Sequence, residues 1–329
     1  ACYGRGSGES AALTDAFLVA GMLSAGQRLG GKLELQLDPA RRALERLGGT
    51  VGLGAEEVAD GAVQVAIAMT AAEATTVLAR RGVDAPDFRM VAFGGAGPVI
   101  AALLAEEIYI DQVLIPPAPG ALSAFGAARA DLEGDLVVPV YRMLGELPPD
   151  ELRARQRALG ERVADWLAEE RRTLAIPGAA IEYSADMRYD GQGYDVTVDL
   201  ELEWLEGPEM EAIAGAFHRT HERTYGHRNE GARVWLKELR AHVIGRPVKP
   251  AKGTTTTIGA GGGAGGVGTR QVRLRGETAT AEVHQRSDLG PRTVVKGPAI
   301  VEQMDTTTVI PPGWSAETLT SGSMILVRG

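Results

Sequence analysis

Apolar and polar positions alternate between helical and strand spacing over about the first 143 residues. Asp38-Pro39-Ala40 ahead of RRALERL reads as an N-cap with Pro at the first helical position, opening an amphipathic helix. A second start stands at Ala55-Glu56-Glu57, where carboxylates complement the positive end of a helix dipole. From there Val58, Ala62, Val65, Ala66, Met69 and Val77 trace an apolar stripe towards Arg80-Arg81-Gly82, a sequence suited to a helix C-terminus. Phe88 to Phe93 predicts a short strand that runs into Gly94-Gly95-Ala96-Gly97-Pro98 and then a helix, VIAALLAEE. A second strand, from Ile110 to Ile115, stops at Pro116-Pro117. Strand, glycine turn, helix and strand within about 30 residues form a βαβ unit, which requires a parallel sheet. Another short helix is expected over 120–130.

The pattern changes over 144–251. A charged helix is predicted over 150–174, with Leu152, Leu159, Val163 and Trp166 along one face. Period-two alternation follows through Tyr183, Ala185, Met187 and Tyr189, and again through Tyr194, Val196, Val198 and Leu200. Asp190-Gly191-Gln192-Gly193 between them is turn chemistry, so an antiparallel hairpin is expected. A helix over 208–225 and a strand over 234–244 complete an α+β module. Residues 252–268 read as a linker, since seven of the ten residues at 259–268 are glycine. The stretch 269–329 has short strands broken by Asp288-Leu289-Gly290-Pro291, Lys296-Gly297-Pro298 and Pro311-Pro312-Gly313, which suggests a small all-β domain.

Composition narrows the function. Thirty-four Lys and Arg against 43 Asp and Glu give a net charge of −9, which argues against a nucleic-acid partner. Cys2 is the sole cysteine, so no internal disulfide forms and the cytoplasm is the simplest compartment. The apolar uncharged stretches 91–105 and 112–128 fall short of the ~18 residues that span a bilayer, so no membrane association is expected. Gly makes up 43 of 329 residues, near twice the usual ~7%, and part of that excess sits in the turn at 94–97.

That turn fits neither a P-loop nor the G-x-G-x-x-G fingerprint. Glycines between a strand and a helix still have two readings. They permit a tight turn with close helix packing, or they let the backbone approach a ligand whose anionic or polar edge meets the helix amides. Cys2 beside Arg5 is a candidate nucleophile or a packing residue. His218 and His221, at i and i+3, and His227 are candidate metal ligands or a packed cluster; no carboxylate or cysteine completes a ligand set, so no metal is assigned to them. Asp15 is either a helix cap or a cleft residue. Glu106-Glu107 reads as a solvated helix face.

The run Val91-Ala92-Phe93-Gly94-Gly95-Ala96-Gly97-Pro98 resembles the FGGAGP signature of the hydantoinase A/5-oxoprolinase family. Further segments agree in order: Ala1-Cys2-Tyr3-Gly4-Arg5-Gly6, Thr14-Asp15-Ala16, Pro119-Gly120-Ala121-Leu122-Ser123-Ala124-Phe125-Gly126 with Ala130-Asp131, Tyr189-Asp190-Gly191-Gln192, His221 through Tyr225-Gly226, and Gly297-Pro298-Ala299-Ile300 through Thr306-Thr307-Thr308. The resemblance spans nearly the whole chain. It departs at Val99-Ile100, where the family has Leu-His, at Ser7, which replaces a glycine, and at Glu9-Ser10-Ala11-Ala12-Leu13, which replaces a Pro-Thr-Val run.

The resemblance implies an α/β fold: residues 1–143 as the second lobe of an actin/sugar kinase-like, RNase H-like ATPase, then the α+β module and the C-terminal β domain. Gly94, Gly95, Ala96, Gly97 and Pro98 would then bind adenosine, with Arg5 and Asp15 as candidate catalytic residues. ATP and Mg²⁺ are the implied cofactors. The phosphate-gripping DxGGTxTD and GGTSTD motifs are absent from these 329 residues, so the resemblance implies the C-terminal half of a subunit, matching a start without Met. The implied partners are a missing N-terminal lobe carrying those motifs, a hydantoinase B-type subunit and a small-molecule substrate. The implied activity is ATP-driven opening of a cyclic amide; the alternatives are a ketone carboxylase subunit of the acetone or acetophenone type, and a non-catalytic assembly subunit.

Overall fold

The structure, a computed structural model, describes residues 1–4, 10–25, 28–29, 33–249 and 268–329. The expected linker therefore lies almost wholly outside the described residues, as does Arg5. The chain is a mixed α/β protein with several sheets, divided into two compact units: Ala1–Ala127 with Ala251–Gly329, and Ala128–Pro250.

The first unit opens with α1 (Leu13–Val19), then the two-residue strands β1 (Arg28–Leu29) and β2 (Leu33–Glu34), α2 (Leu37–Gly49) and α3 (Ala55–Arg80). Helix α2 begins at Leu37 with Gln36 at its N-cap, so Asp38 sits inside the first turn and does not cap it. Helix α3 buries Ala55, Ala59, Val63, Ile67 and Ala71, a row four residues apart, against α1, α2 and α4 (Gly97–Glu107). The expected stripe is rotated away from that row: Val65, Met69 and Val77 are exposed. Apolar residues surround α3 nearly all the way round, so periodicity could not say which side faces inward. By length and composition α3 is also apolar enough to cross a membrane, a reading that the tally of uncharged stretches missed. Its first half is nonetheless core, and Asp60 within it accepts from the Gly276 amide at 2.7 Å and from Gln64 at 2.7 Å.

Strand β3 (Met90–Val91), α4 and β4 (Gln112–Ile115) form the expected parallel pair, with Met90 opposite Val113 and Val91 opposite Leu114. After β4 comes the short helix α5 (Leu122–Ala127).

The second unit contains β5 (Leu132–Met143), α6 (Pro149–Glu170), β6 (Gly178–Tyr189), β7 (Val196–Leu200), α7 (Leu202–Glu206), α8 (Met210–Tyr225) and β8 (Val234–Arg246). Its sheet is antiparallel in the order β5-β8-β6-β7 and includes the expected hairpin. The inward positions Ala185, Met187, Val198, Leu236, Leu239 and Ala241 are fully buried with Leu152 and Leu159 of α6 and Ile213 and Phe217 of α8. The sequence pattern did not reveal β5. Pro139 interrupts it, and proline is tolerated because β5 is an edge strand whose ladder shifts register between Pro139 and Arg142.

The C-terminal stretch supplies β9 (Gly268–Leu274), β10 (Glu277–Gln285), β11 (Val294–Lys296), β12 (Ala299–Glu302), β13 (Thr307–Ile310), β14 (Trp314–Thr318) and β15 (Met324–Arg328). These strands do not stand apart as the expected β domain. Strand β15 pairs antiparallel with β4, making a five-stranded sheet β11-β14-β15-β4-β3. The four-stranded sheet β13-β12-β10-β9 has Ile300, Val309 and Val283 on one face, in the core with α1 and α3. Ala299, Val301 and Ile310 on its other face share a core with Val113, Ile115 and Leu326. Two strands of two and four residues could not bury Val113 and Ile115 by themselves; the returning chain covers them.

Candidate functional site

The βαβ unit positions the glycine turn. Beyond β3 the Ala92 amide still donates to Leu114 O at 2.9 Å, and Gly94 then reverses the chain at φ +82°, a conformation that side chains disfavour. The Gly94 amide donates to Pro119 O at 2.8 Å, joining the turn to the Pro119-Gly120 segment. Helix α4 begins at Gly97 with Pro98 in its first turn, and its N-cap, Ala96, offers no side-chain acceptor to the first-turn amides.

Packing does not explain the other two glycines. A Cβ on Gly95 would meet no described atom nearer than Asp305 O at 4.0 Å, and one on Gly97 would lie 3.8 Å from the Ala92 carbonyl carbon, an ordinary contact. Neither has positive φ. Gly95 and Ala96 are exposed, while Pro98 is buried beneath them. The tight-turn reading thus accounts for Gly94 alone, through its positive φ and not through packing.

A cavity of about 160 Å³ opens beside the turn, walled by Gly95, Ala96, Val99, Tyr3, Thr14 and Asp305. Three regions far apart in sequence meet there. Tyr3 donates its hydroxyl to Thr14 Oγ1 at 3.0 Å. Thr306 Oγ1 donates to Gly95 O at 2.8 Å, and Asp305 Oδ2 accepts from the Gly120 amide at 2.8 Å. Gln303 Nε2 donates to Asp305 Oδ1 at 2.7 Å and to Pro117 O at 3.2 Å.

Asp15 does not reach this cavity wall; its neighbour Thr14 does. The carboxylate is fully buried at the third position of α1, with Oδ1 accepting from the Cys2 amide at 2.6 Å. Its Oδ2 accepts from the Ala12 amide at 2.7 Å and the Ala1 nitrogen at 3.0 Å. Burial by itself would raise its pKa, but the donors from Ala12, Cys2 and Ala1 outweigh it and hold the carboxyl below its usual range. Cys2 is buried, and burial together with the adjacent Asp15 pushes its thiol up to about 12, so it is no ready nucleophile. The acidic pair on α4 also differs from expectation. Glu106 accepts from Trp314 Nε1 at 2.5 Å and pairs with Arg275, tying α4 to the C-terminal strands, while Glu107 stays half exposed.

The histidines of the second unit are packed rather than poised. His218 Nδ1 lies 2.8 Å from the Tyr189 hydroxyl, which also accepts from the Asn229 amide at 2.9 Å. His221 Nδ1 donates to His227 O at 2.9 Å, and its Nε2 faces Gln192 at 3.3 Å. Burial lowers the His218 pKa. Among the described residues no group of three or more His, Cys, Asp and Glu is arranged to hold a metal ion.

Sequence reasoning named the Thr306-Thr307-Thr308 run but assigned Asp305 and Tyr3 no role at the site. The signal available was the Asp before three threonines after the Gly297-Pro298 turn; nothing local says that it folds onto Gly95.

Comparison with known proteins fits these motifs. The chain matches the hydantoinase/oxoprolinase family over residues 1–135 and the hydantoinase/oxoprolinase C-terminal domain over 153–320. An uncharacterized protein of Methanocaldococcus jannaschii is 32% identical over 96% of this chain and 44% of its own length. The caprolactamase alpha subunit of Pseudomonas jessenii is 26% identical over 100% of this chain and 48% of that protein. The acetone carboxylase beta subunit of Xanthobacter autotrophicus is 24% identical over 95% of this chain and 45% of that one. The chain thus spans under half the length of each of these relatives. Among solved structures, nucleotide-free acetone carboxylase superposes with a TM-score of 0.78 at 21% identity, covering 100% of this chain and 48% of that one, a likeness of fold alone. The ATP-dependent caprolactamase of P. jessenii superposes with a TM-score of 0.61 at 27% identity, with the same coverage. The ordered motifs, the family matches and the shared fold make this chain a member of the hydantoinase/oxoprolinase family.

Proposed function

We propose that this chain supplies the adenosine side of an ATP-dependent enzyme that opens cyclic amides such as hydantoins, lactams or oxoproline. The observation that carries the reading is the glycine turn: Gly95 has room for a methyl group yet remains glycine on the wall of an open cavity, and Gly97 has the same room at the start of a helix with no side-chain cap. A bare backbone there lets a planar base or a polar ligand edge approach the first turn of α4. Bound ATP would supply the phosphoryl group that, placed on the amide oxygen, makes the ring carbon electrophilic towards water.

The first unit would then act as the second lobe of an actin/sugar kinase-like ATPase, with the phosphate motifs expected outside the stretch that this chain spans. Mg²⁺ would be held largely there, beside the ATP phosphates. Asp15 serves by fixing the segment that carries Tyr3 and Thr14, since both its oxygens are taken by main-chain nitrogens. Arg5 keeps its candidate catalytic role. A hydantoinase B-type subunit completes the hydrolysis, in the cytoplasm.

A ketone carboxylase is the second reading, supported by the relatedness to the acetone carboxylase beta subunit. A non-catalytic assembly role is the third, supported by buried Val99, which gives the cavity an apolar wall. The complete complex decides among them. Cleavage of a lactam or hydantoin with ATP turnover is expected; ATP-dependent uptake of bicarbonate with a ketone and no amide cleavage would transfer the function to the second reading. Absence of any ATP binding by calorimetry would leave the third.

A further inference from the structure

We infer that Asp305 and Thr306, contributed by the C-terminal stretch, are positioning residues for the adenosine site, setting the geometry of the glycine turn from the adjoining wall of the cavity; this rests on the adenosine reading above. Three observations converge on it.

The turn is fixed by only a few bonds of its own. Between the end of β3 and the start of α4, the Gly94 amide bonds to Pro119 O, and Gly95 O is taken by Thr306 Oγ1. Thr306 is 1% exposed, so its hydroxyl is aimed at that carbonyl from inside the fold, out of competition with water. Asp305 holds the other side of the same junction, accepting from the Gly120 amide one residue after the carbonyl that receives Gly94. Gly94–Pro119, Gly120–Asp305 and Thr306–Gly95 therefore close a ring of contacts through three chain segments.

The fit at Gly120 is tight. A Cβ there would stand 2.8 Å from Asp305 Cβ and 2.9 Å from its Oδ2, so glycine is required for the carboxylate to sit over the amide. Open space at Gly95 and none at Gly120 leaves room for a ligand at the turn while the neighbouring segment is clamped by the same loop. The clamp is itself secured: Gln303 donates to Asp305 Oδ1 and to Pro117 O, and the Gln303 amide donates to Thr306 O at 3.1 Å. Met304, between them, is 70% exposed.

Calorimetric titration of ATP into the full subunit, with steady-state kinetics of the complete complex, tests the inference. Thr306→Val is expected to weaken ATP binding about fivefold to tenfold, the worth of one buried hydrogen bond. It should raise KM for ATP while leaving kcat at saturating ATP within about twofold. Thr306→Ser, which keeps the hydroxyl, restores wild-type binding, and Met304→Ala changes nothing. Asp305→Ala weakens ATP binding more than Thr306→Val, and it carries the test if the valine variant does not fold. Wild-type affinity in folded Thr306→Val and Asp305→Ala would overturn the clamp and leave the adenosine reading intact. Equal loss in the serine and valine variants, or a fall in kcat without a change in KM, would also overturn it. No ATP binding by the wild-type subunit would remove the adenosine reading, and the clamp with it.

Discussion

The glycine turn of the first unit and the histidine cluster of the second are both assembled from distant segments, yet they differ in what they leave open. Around His218 and His221 three of the four ring nitrogens find partners within the unit: Tyr189, the His227 carbonyl and Gln192. Tyr189 packs edge-on against Phe217 at 4.8 Å and against His221 at 4.7 Å. A network satisfied in this way rigidifies a fold and has little left to offer a ligand. At residues 94–97 two glycines have vacant space beside them, and the helix amides have no side-chain cap. Residue types associated with chemistry mark a structural knot, whereas residues with no side chain mark the candidate site. Unspent hydrogen-bonding capacity distinguishes them better than residue identity does.

Substitutions can break that contrast. The largest effect is expected from Phe217→Ala, which empties a fully buried position of the second unit. It should cost about 3–5 kcal/mol in denaturant unfolding of that unit while leaving ATP affinity unchanged. Loss of ATP binding there would make the histidine cluster part of the site. Asp15→Ala follows. It strands the buried Cys2 amide, at roughly 1–3 kcal/mol, and removes the acceptor of the Ala12 amide, and should appear as lost stability of the first unit. An inactive but equally stable variant would return Asp15 to a catalytic role.

Gly120→Ala forces a Cβ against Asp305 and should destabilise by about 1–3 kcal/mol, measured by urea melts. Gly95→Ala should leave stability within about 0.5 kcal/mol and weaken ATP binding tenfold or more, equivalent to ~1.4 kcal/mol. An unstable Gly95→Ala protein would favour the packing reading of that glycine. The smallest effect concerns pH. The His218 pKa is lowered by burial, so the folded state prefers the neutral ring. That contribution is complete above the ordinary histidine value of ~6.5 and declines as pH falls through the depressed folded value. Stability of the second unit should therefore drop on acidification below about pH 6.5, and His218→Gln should flatten the curve.

Much of the local architecture was legible. The βαβ unit could be read because a parallel pair with a short crossover leaves an apolar run, a glycine turn and a helix in fixed order, and β3, α4 and β4 lie where that order puts them. The hairpin of β6 and β7 was legible because alternation on both sides of Asp190-Gly191-Gln192-Gly193 leaves a single register that buries Ala185, Met187, Val196 and Val198. Strand β5 was hidden by Pro139, whose cost vanishes only on an edge. The inward row of α3 was hidden because alanine and valine lie on every side of that helix.

The candidate site was half legible. Its glycines announce themselves by type and by their place between a strand and a helix. Asp305 and Thr306 do not, because their role depends on a hydrogen bond across 211 residues of sequence between Thr306 and Gly95.

The sequence by itself determined most of the elements, though not β5, and the family, since periodicity, turn chemistry and ordered motifs act over short stretches of chain. Only the tertiary structure decided that the C-terminal strands complete the first unit through β4 and β15, and that Thr14, not Asp15, faces the cavity. It also decided that a loop near the C-terminus clamps the glycine turn. The reason is physical: strand pairing and burial are settled by which distant surfaces remove the most apolar area from water and satisfy the most main-chain groups, a competition over the whole chain that no local pattern records.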